Sequence, residues 1–434
     1  MPRGSLWAQF RGAILLPTMQ LSRRVTGLKP SATIAVANRA KDMIRQGIDV
    51  LSFAAGEPDF DTPEPIKEAA IKALKAGQTK YMQTMGDPET RAAIAEKVTR
   101  ENRIPNVTAD HVGISSGGKH ALYTVCQCLF DAPEAGESPS ECLVPVPAWV
   151  SYMPLAELAG AKVIEIPTTV KTDFKMSPEQ LRKAITPRSR MLVLNSPSNP
   201  CGTMYTEMEL RALGKVLEEA TRTTAPDLVV LSDEIYEKVA YGGIPHFSIG
   251  SIPEIAERVI TLNGLSKAYS MTGWRIGYTT TSGPWGLQFM KAMATLQGQM
   301  TTNITSFTYP AIRTALKECE GDARRMCEAF GKRAELIFGR MSRIPGITLA
   351  RPTGAFYVFP DVSALFGKKS AEGKPIGTSM QFCEALLAEA KVAAVPGEDF
   401  GGCGGNHVRF SFACSDDQIN KGMDRLEKFV ASLR

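Results

Sequence analysis

The chain has 434 residues, 44% of them hydrophobic and 22% charged, and its 50 basic and 45 acidic residues give a formal net charge of +5. This length can bury a large core in two or more domains. No apolar run reaches the roughly 18 residues that cross a bilayer, and no cluster of Lys and Arg with interleaved aromatics is present. We therefore expect neither a membrane nor a nucleic-acid partner.

Nine cysteines are scattered along the chain without CxxC pairs. This usage favours reduced thiols in the cytoplasm. The four histidines are dispersed, so the sequence predicts no metal site.

Residues 1–20 differ from the rest, with two arginines, no acidic residue and a short apolar patch at Ala13–Leu16. A secretory signal needs a longer apolar core and a small-residue cleavage site. We expect a disordered N-terminal extension, with Met19 as an alternative start. A transit peptide stays open as the other interpretation.

Short apolar runs alternate with helical stretches between about residues 109 and 278. The predicted strands are Ser140–Val146, Lys162–Ile166, Arg190–Leu194, Asp227–Leu231 and Arg258–Leu262. This alternation predicts an α/β fold with a mostly parallel sheet covered by helices. Ligands of such sheets bind beyond the carboxyl ends of the strands.

After about residue 305 the pattern changes to long charged helices, Tyr309–Lys317 and Asp322–Met341. Alternating segments at Gly354–Phe359 and His407–Phe412 and a helix at Asp416–Leu433 follow. These elements indicate a smaller α+β domain. We predict that residues 21–60 and 306–434 form this small domain and that residues 61–305 form the large one.

Lys267 follows the predicted strand Arg258–Leu262, and Arg275 lies eight residues further on. A lysine at this place can form an imine with an aldehyde cofactor, and the arginine can bind that cofactor's phosphate. The alternative is an exposed loop lysine.

Polar side chains follow two other predicted strands. Asp233 comes after Asp227–Leu231, where a buried carboxylate needs a cationic or protonated partner such as a pyridinium nitrogen. Tyr236 and the proline-flanked Asn199 are placed to hydrogen-bond a ring oxygen. The alternatives are a helix N-cap at Asp233 and a plain turn around Asn199.

The segment Gly113–His120 opens a helix, so its backbone N–H groups can hold a phosphate. It also matches most of a P-loop, which makes a nucleotide-hydrolysing enzyme the rival class. A P-loop needs Ser or Thr where His120 stands.

Trp149 and Arg409 each allow two interpretations. The Trp149 indole can cover one face of an aromatic cofactor, or it can pack in the core. Arg409 alternates with apolar neighbours, so a solvent-facing side chain and a bidentate clamp on a carboxylate both stay open.

Together these segments resemble the class I aminotransferases among the fold-type I pyridoxal-phosphate enzymes, from about Leu21 to the C-terminus. The nearest likeness is to the Iβ-type aspartate aminotransferases, some of which also act on prephenate. The matching segments are Gly264–Gly277, Ala55–Pro63, Asn195–Gly202, Ser232–Tyr236, Leu28–Thr33 and Gly117–Lys119.

The resemblance implies a role for each matching residue. Lys267 is the cofactor-binding lysine and proton shuttle, Asp233 pairs the ring nitrogen, and Asn199 and Tyr236 bind the ring oxygen. The remaining implied positions are Trp149 on the ring, Gly118, Lys119, Ser266 and Arg275 at the phosphate, Tyr81 reaching in from a neighbouring subunit, Gly56 and Arg409 at the substrate α-carboxylate, and Lys119 and Thr33 at the distal group.

By this resemblance the protein is a cytoplasmic homodimer with shared active sites. Its cofactor is pyridoxal 5'-phosphate, and it moves an amino group between aspartate or glutamate and 2-oxo acids, with prephenate as a further acceptor. An aromatic aminotransferase and a lyase of the same fold stay open. The chain departs from the family at Ala148, where an aromatic residue is usual, and at Cys201, where threonine is usual.

Overall fold

The computed structural model describes residues 20–28 and 32–434, the latter without the side chains of 32–35 and 37. It divides the chain into two units, Met1–Pro30 and Ser31–Arg434. In the first unit, Arg23–Thr26 form a one-turn helix, α1, with exposed side chains. The predicted extension lies outside the described residues except for Gln20.

The second unit contains the remaining helices and all the strands that the structure describes. Its helices are α2 Ala32–Arg45, α3 Glu64–Lys75, α4 Pro88–Arg100, α5 Gly118–Leu129, α6 Tyr152–Leu158, α7 Pro178–Ala184, α8 Glu207–Thr223, α9 Gly283–Gly298, α10 Tyr309–Glu318, α11 Glu320–Met341, α12 Ser379–Ala385 and α13 Asp416–Ser432. Its strands are β1 Leu51–Ser52, β2 Val112–Ser115, β3 Glu141–Val146, β4 Lys162–Pro167, β5 Ser189–Asn195, β6 Val229–Asp233, β7 Val259–Gly264, β8 Gly277–Thr280, β9 Tyr357–Val358, β10 Lys368–Lys369, β11 Pro375–Ile376, β12 Val392–Ala393, β13 Val395–Pro396 and β14 Val408–Ser411.

Seven strands form the central sheet in the order β2-β8-β7-β6-β5-β3-β4. Strands β4, β3, β5, β6 and β7 are parallel, whereas β8 runs antiparallel to both β7 and β2. The five predicted strands are therefore present. Strands β2 and β8, which the sequence pattern did not indicate, complete the sheet.

Helices cover both faces of this sheet because successive side chains of each strand point to opposite sides. On one face Met191 and Val193 of β5 belong to a buried cluster with residues of α5 and α9. On the other face Leu192 and Leu194 pack in a second cluster with α8. The inner parallel strands β3, β5, β6 and β7 are buried on both sides, which explains their continuous apolar runs, whereas the edge strand β4 is largely exposed.

Helix α8 shows how local sequence sets an element's start. The Thr206 hydroxyl accepts a hydrogen bond from the Glu209 N–H at 3.3 Å, and a Glu209 carboxylate oxygen accepts one from the Thr206 N–H at 2.7 Å. This capping box satisfies two backbone donors that the helix leaves unpaired.

The C-terminal part of the chain builds smaller sheets. Strands β13, β14 and β9 form an antiparallel sheet, and β1 pairs with β12 in parallel. Phe356, Phe410 and Phe412 are fully buried in a cluster that also includes residues of α11 and α13. The division at residues 60 and 305 into large and small domains stays a prediction.

The carboxyl ends of β5, β6 and β7 meet at one edge of the central sheet. Asn195 of β5 pairs in register with Asp233 of β6, and Asp233 with Leu262 of β7. The loops that carry Asn199, Tyr236 and Lys267 start from this edge. In the part of the chain that the structure describes, no helix has the length and apolarity needed to span a membrane.

Candidate active site

A cavity of about 660 Å³ opens at this edge. We call it the central cavity. Of the twelve predicted site residues whose side chains the structure describes, eleven line it: Gly56, Gly118, Lys119, Trp149, Asn199, Asp233, Tyr236, Ser266, Lys267, Arg275 and Arg409. Residues more than 300 positions apart in sequence thus share one surface.

Lys267 lies in the loop after β7, is partly buried and points into the central cavity. Its Nζ donates a hydrogen bond to the Gly56 carbonyl oxygen. Burial lowers the pKa of Lys267 to about 8, and the positive charges of Arg409 and Arg275 act in the same direction. The interpretation as an exposed loop lysine is wrong, and a substantial fraction of this amine is neutral near pH 8.

Asp233 ends β6 and is 3% exposed. The Tyr152 hydroxyl donates to its Oδ2 at 2.6 Å, and the Ile235 N–H donates to its Oδ1 at 3.1 Å. Burial raises the pKa of Asp233 to about 6, although both hydrogen bonds favour the ionised form. A buried carboxylate that lines a cavity and has only neutral donors is suited to a protonated ligand atom.

Two tyrosine hydroxyls meet beside this carboxylate. Tyr236 Oη and Tyr357 Oη lie 2.8 Å apart, and both side chains line the central cavity. Burial raises the pKa of Tyr236 well above its ordinary value, so its hydroxyl stays protonated and can act as a donor.

The start of α5 forms a cationic part of the cavity together with Arg275. Gly117 has a φ of +88°, and a Cβ at this residue would lie 2.5 Å from Arg275 Nη2. Glycine therefore lets the guanidinium approach the first turn of the helix, where backbone N–H groups are free to bind an anion.

Lys119 adds a second positive charge to the same region. Its Nζ lies 5.2 Å from the centroid of the Trp149 ring. Burial and the nearby Arg275 charge lower the pKa of Lys119. Among the described residues, no carboxylate forms a salt bridge with Lys119 or Arg275, so this region is complementary to an anionic ligand.

Arg409 on β14 is 4% exposed, so the solvent-facing interpretation is wrong. Its Nη1 donates to Asn199 Oδ1 and its Nη2 to the Ala54 carbonyl oxygen, each at 3.0 Å. The guanidinium carbon lies 4.8 Å from the Tyr357 ring centroid, and among the described residues Nε has no hydrogen-bond partner. Within residues 32–434 no carboxylate pairs with this buried cation, which therefore favours a carboxylate ligand.

Sequence reasoning missed Tyr152 and Tyr357. Tyr152 lies only three residues after Trp149, and this proximity to a predicted site residue was the available signal. Tyr357 contacts Tyr236 across 121 positions of sequence, and the local pattern around it indicates only a strand. Four residues of α2 also line the cavity: Asn38, Ala40, Lys41 and Ile44.

One predicted site residue does not line the cavity, and another cannot be placed because its side chain lies outside the described residues. Tyr81 is 88% exposed and does not line the cavity. Thr33 lies in α2, but its side chain is outside the described part of the structure.

The structure also brings together Glu234, Glu237 and His246, whose ligand atoms lie within 4.8 Å of one another. Lys97 Nζ contacts Glu237, and the Asn102 amide donates to both carboxylates. The buried ammonium already supplies the positive charge that a metal ion would bring.

Residues 48–426 match the family described as "Aminotransferase class I and II". The chain belongs to the aminotransferase class I and II family. This match confirms the resemblance found in the sequence, and it argues against the alternative of a nucleotide-hydrolysing enzyme.

Individual aminotransferases are similar to the chain over nearly its whole length. It is 40% identical over 413 residues to the aspartate aminotransferase of Geobacillus stearothermophilus, which covers 95% of this chain and 99% of the relative. It is also 40% identical over 414 residues to the aspartate/prephenate aminotransferase of Cereibacter sphaeroides, with 95% of this chain and 99% of the relative covered.

A solved structure supports the same relationship. The crystal structure of the aspartate aminotransferase from Rhizobium meliloti superimposes with a TM-score of 0.88 at 34% identity, covering 96% of this chain and 100% of that one. The predicted fold class is therefore confirmed.

Proposed function

We propose that this aminotransferase moves an amino group between aspartate or glutamate and 2-oxo acids, with pyridoxal 5'-phosphate in the central cavity. The observation that carries the proposal is the partly buried Lys267, with its lowered pKa, in a cavity that Asp233 also lines. The names of the relatives, aspartate aminotransferase and aspartate/prephenate aminotransferase, support the substrate class.

The residues of the cavity fit this cofactor. Gly118, Ser266 and Arg275 offer an anion site for its phosphate, and the region has no carboxylate partner among the described residues. The buried Asp233 carboxylate suits a protonated ring nitrogen, because burial disfavours its ionised form and a cation in direct contact would offset that cost. Asn199 and Tyr236 suit the ring oxygen, and Trp149 suits a ring face.

Pyridoxal 5'-phosphate, when bound, supplies an aldehyde that bonds to amino groups and a ring that withdraws electrons from the substrate Cα. Lys267 Nζ is the base that moves the Cα proton, since a pKa of about 8 leaves part of the amine neutral near physiological pH. Asp233 supplies the negative charge that keeps the ring nitrogen protonated.

Two cationic side chains bind the two carboxylates of a dicarboxylic substrate. Arg409 binds the α-carboxylate with its planar fork, held in place by Asn199 and the Ala54 carbonyl. Lys119 binds the distal carboxylate from the other cationic part of the cavity. A cavity of about 660 Å³ also has room for a larger acceptor, which supports prephenate as a second candidate substrate.

We also propose a homodimer with shared active sites. Tyr81 is 88% exposed, and Met82 and Met300 are exposed apolar side chains, as expected for a surface that a second copy covers. In the dimer, Tyr81 reaches the phosphate site of the neighbouring subunit. All nine cysteines are free, which supports a reducing compartment such as the cytoplasm.

Absorbance spectroscopy tests the proposal. The purified protein with pyridoxal 5'-phosphate is expected to be yellow, to lose its long-wavelength band on addition of L-aspartate and to regain it with 2-oxoglutarate. Irreversible release of ammonia or carbon dioxide instead supports the lyase alternative. Steady-state rates with aspartate, glutamate and prephenate then rank the substrates.

A further inference from the structure

Tyr152 is the first residue of α6 and lines the central cavity, although its side chain is only 2% exposed. It follows the loop that carries Trp149. Buried tyrosines usually find a partner for the hydroxyl, and the partner here is a residue of the candidate active site.

The Tyr152 hydroxyl is the side-chain donor that holds the Asp233 carboxylate. It donates to Oδ2 at 2.6 Å, a short bond of the kind made to charged acceptors. The other oxygen, Oδ1, is held by the Ile235 N–H at 3.1 Å. One donor on each oxygen fixes the plane of the carboxyl group. The remaining lone pairs are left free to accept a hydrogen bond from a ligand.

The aromatic ring of Tyr152 orients a second cavity residue. Its centroid lies 5.3 Å from that of Trp149, with an interplanar angle of 83°, which is an edge-to-face arrangement. One side chain therefore contacts both the residue suited to the ring face and the residue suited to the ring nitrogen.

We propose that Tyr152 is a positioning residue that aims the Asp233 carboxylate at the ring nitrogen of the cofactor. This inference rests on the proposed function, because it requires pyridoxal 5'-phosphate in the central cavity. A tyrosine that only fills the core would not need its hydroxyl on Oδ2.

Removal of the hydroxyl has a defined consequence. In Tyr152→Phe the ring and its contact with Trp149 remain, but Oδ2 loses its donor in a buried place. The Tyr152 hydrogen bond lowers the pKa of Asp233, whereas burial raises it to about 6. Without the hydroxyl the pKa rises further, and a protonated Asp233 cannot pair with a protonated ring nitrogen.

The test compares two ligands that differ at the ring nitrogen. Apoenzyme is titrated with pyridoxal 5'-phosphate and with its 1-deaza analogue, in which carbon replaces that nitrogen, and binding is followed by tryptophan fluorescence. Tyr152→Phe should weaken the charge-assisted hydrogen bond between Asp233 and the ring nitrogen. We therefore expect this variant to bind pyridoxal 5'-phosphate about 10- to 100-fold more weakly. Binding of the analogue should stay unchanged.

Two further variants separate positioning from packing. Tyr205→Phe removes another buried hydroxyl, which accepts the Met176 N–H at 2.7 Å outside the central cavity, and should leave both affinities unchanged. Tyr152→His keeps a ring N–H donor and should restore part of the preference for pyridoxal 5'-phosphate. If Tyr152→Phe does not fold, the preference of Tyr152→His for pyridoxal 5'-phosphate over the analogue is compared with that of the wild-type protein instead.

Equal losses for the two ligands, or no loss for either, overturn the inference. So does a Tyr152→His protein that shows no preference for the nitrogen-containing ligand. Failure of the wild-type protein to bind pyridoxal 5'-phosphate overturns the proposed function instead, so the two failures are distinguishable.

Discussion

Replacement of Lys267 by methionine tests the electrostatic character of the central cavity without any substrate. Burial lowers the pKa of Lys267 from its ordinary 10.5 to about 8, so the folded apoenzyme binds this proton more weakly than the unfolded chain does. Folding with the amine charged therefore carries a penalty below about pH 8. The penalty fades as the pH rises towards 10.5, because the unfolded amine then loses its proton too.

These two pKa values set the magnitude. The penalty is about 3 kcal/mol at pH 7 and falls to about 1 kcal/mol at pH 10. Lys267→Met removes the penalty and keeps an apolar side chain of similar length. The stability advantage of the variant over the wild-type apoenzyme should therefore shrink by about 2 kcal/mol between pH 7 and pH 10.

Urea unfolding of both apoenzymes at several pH values between 7 and 10 measures this difference directly. Lys332→Met, at an exposed helix position, is the matched control for loss of a lysine. A stability difference for Lys267→Met that is constant across this range refutes the claim that burial lowers the pKa of Lys267.

The remaining predictions concern substrates and assembly. Lys119→Ala should lower kcat/KM for aspartate at least tenfold more than for alanine, and equal losses for the two amino acids contradict a role at the distal carboxylate. Arg409→Lys keeps the charge but loses the planar fork, so kcat/KM should fall about 10- to 100-fold for both amino acids; an unchanged value contradicts the α-carboxylate assignment. Inactive Lys267→Ala and impaired Tyr81→Ala subunits, refolded together in equal amounts, should recover about a quarter of wild-type activity through hybrid dimers with one intact site. No recovery contradicts shared active sites.

Much of the central sheet could be predicted from sequence because buried parallel strands are continuous apolar runs between turn residues. The runs at β5 and β6 are of this kind. Strands β2 and β8 were not predicted, because they are four residues long and contain glycine and hydroxyl residues. The segment Gly354–Phe359 reads as a strand, yet only Tyr357–Val358 pairs in a ladder.

The site was predictable where its residues follow strands. Lys267 and Asp233 stand at strand ends, where the topology of a parallel sheet brings side chains together. The local pattern allowed a solvent-facing Arg409, but the side of β14 that carries this residue is covered by Tyr357 and Phe400. A period-two pattern separates the two faces of a strand but does not show whether a distant segment covers both.

Contacts between distant residues explain the other omissions. The hydroxyl of Tyr152 meets Asp233 across 81 positions of sequence. A hydrogen bond of this kind depends on how α6 packs against β6, and neither segment contains a local signal for it. Motif matching finds residues that share one segment, whereas such a partner emerges only from the folded arrangement.

Isotope transfer tests the central claim most directly. The protein with pyridoxal 5'-phosphate is incubated with ¹⁵N-labelled L-aspartate and 2-oxoglutarate, and the products are followed by mass spectrometry. Our account predicts labelled glutamate in equal amount to the oxaloacetate formed, with no labelled ammonia. Label in ammonia, or oxaloacetate without labelled glutamate, contradicts it.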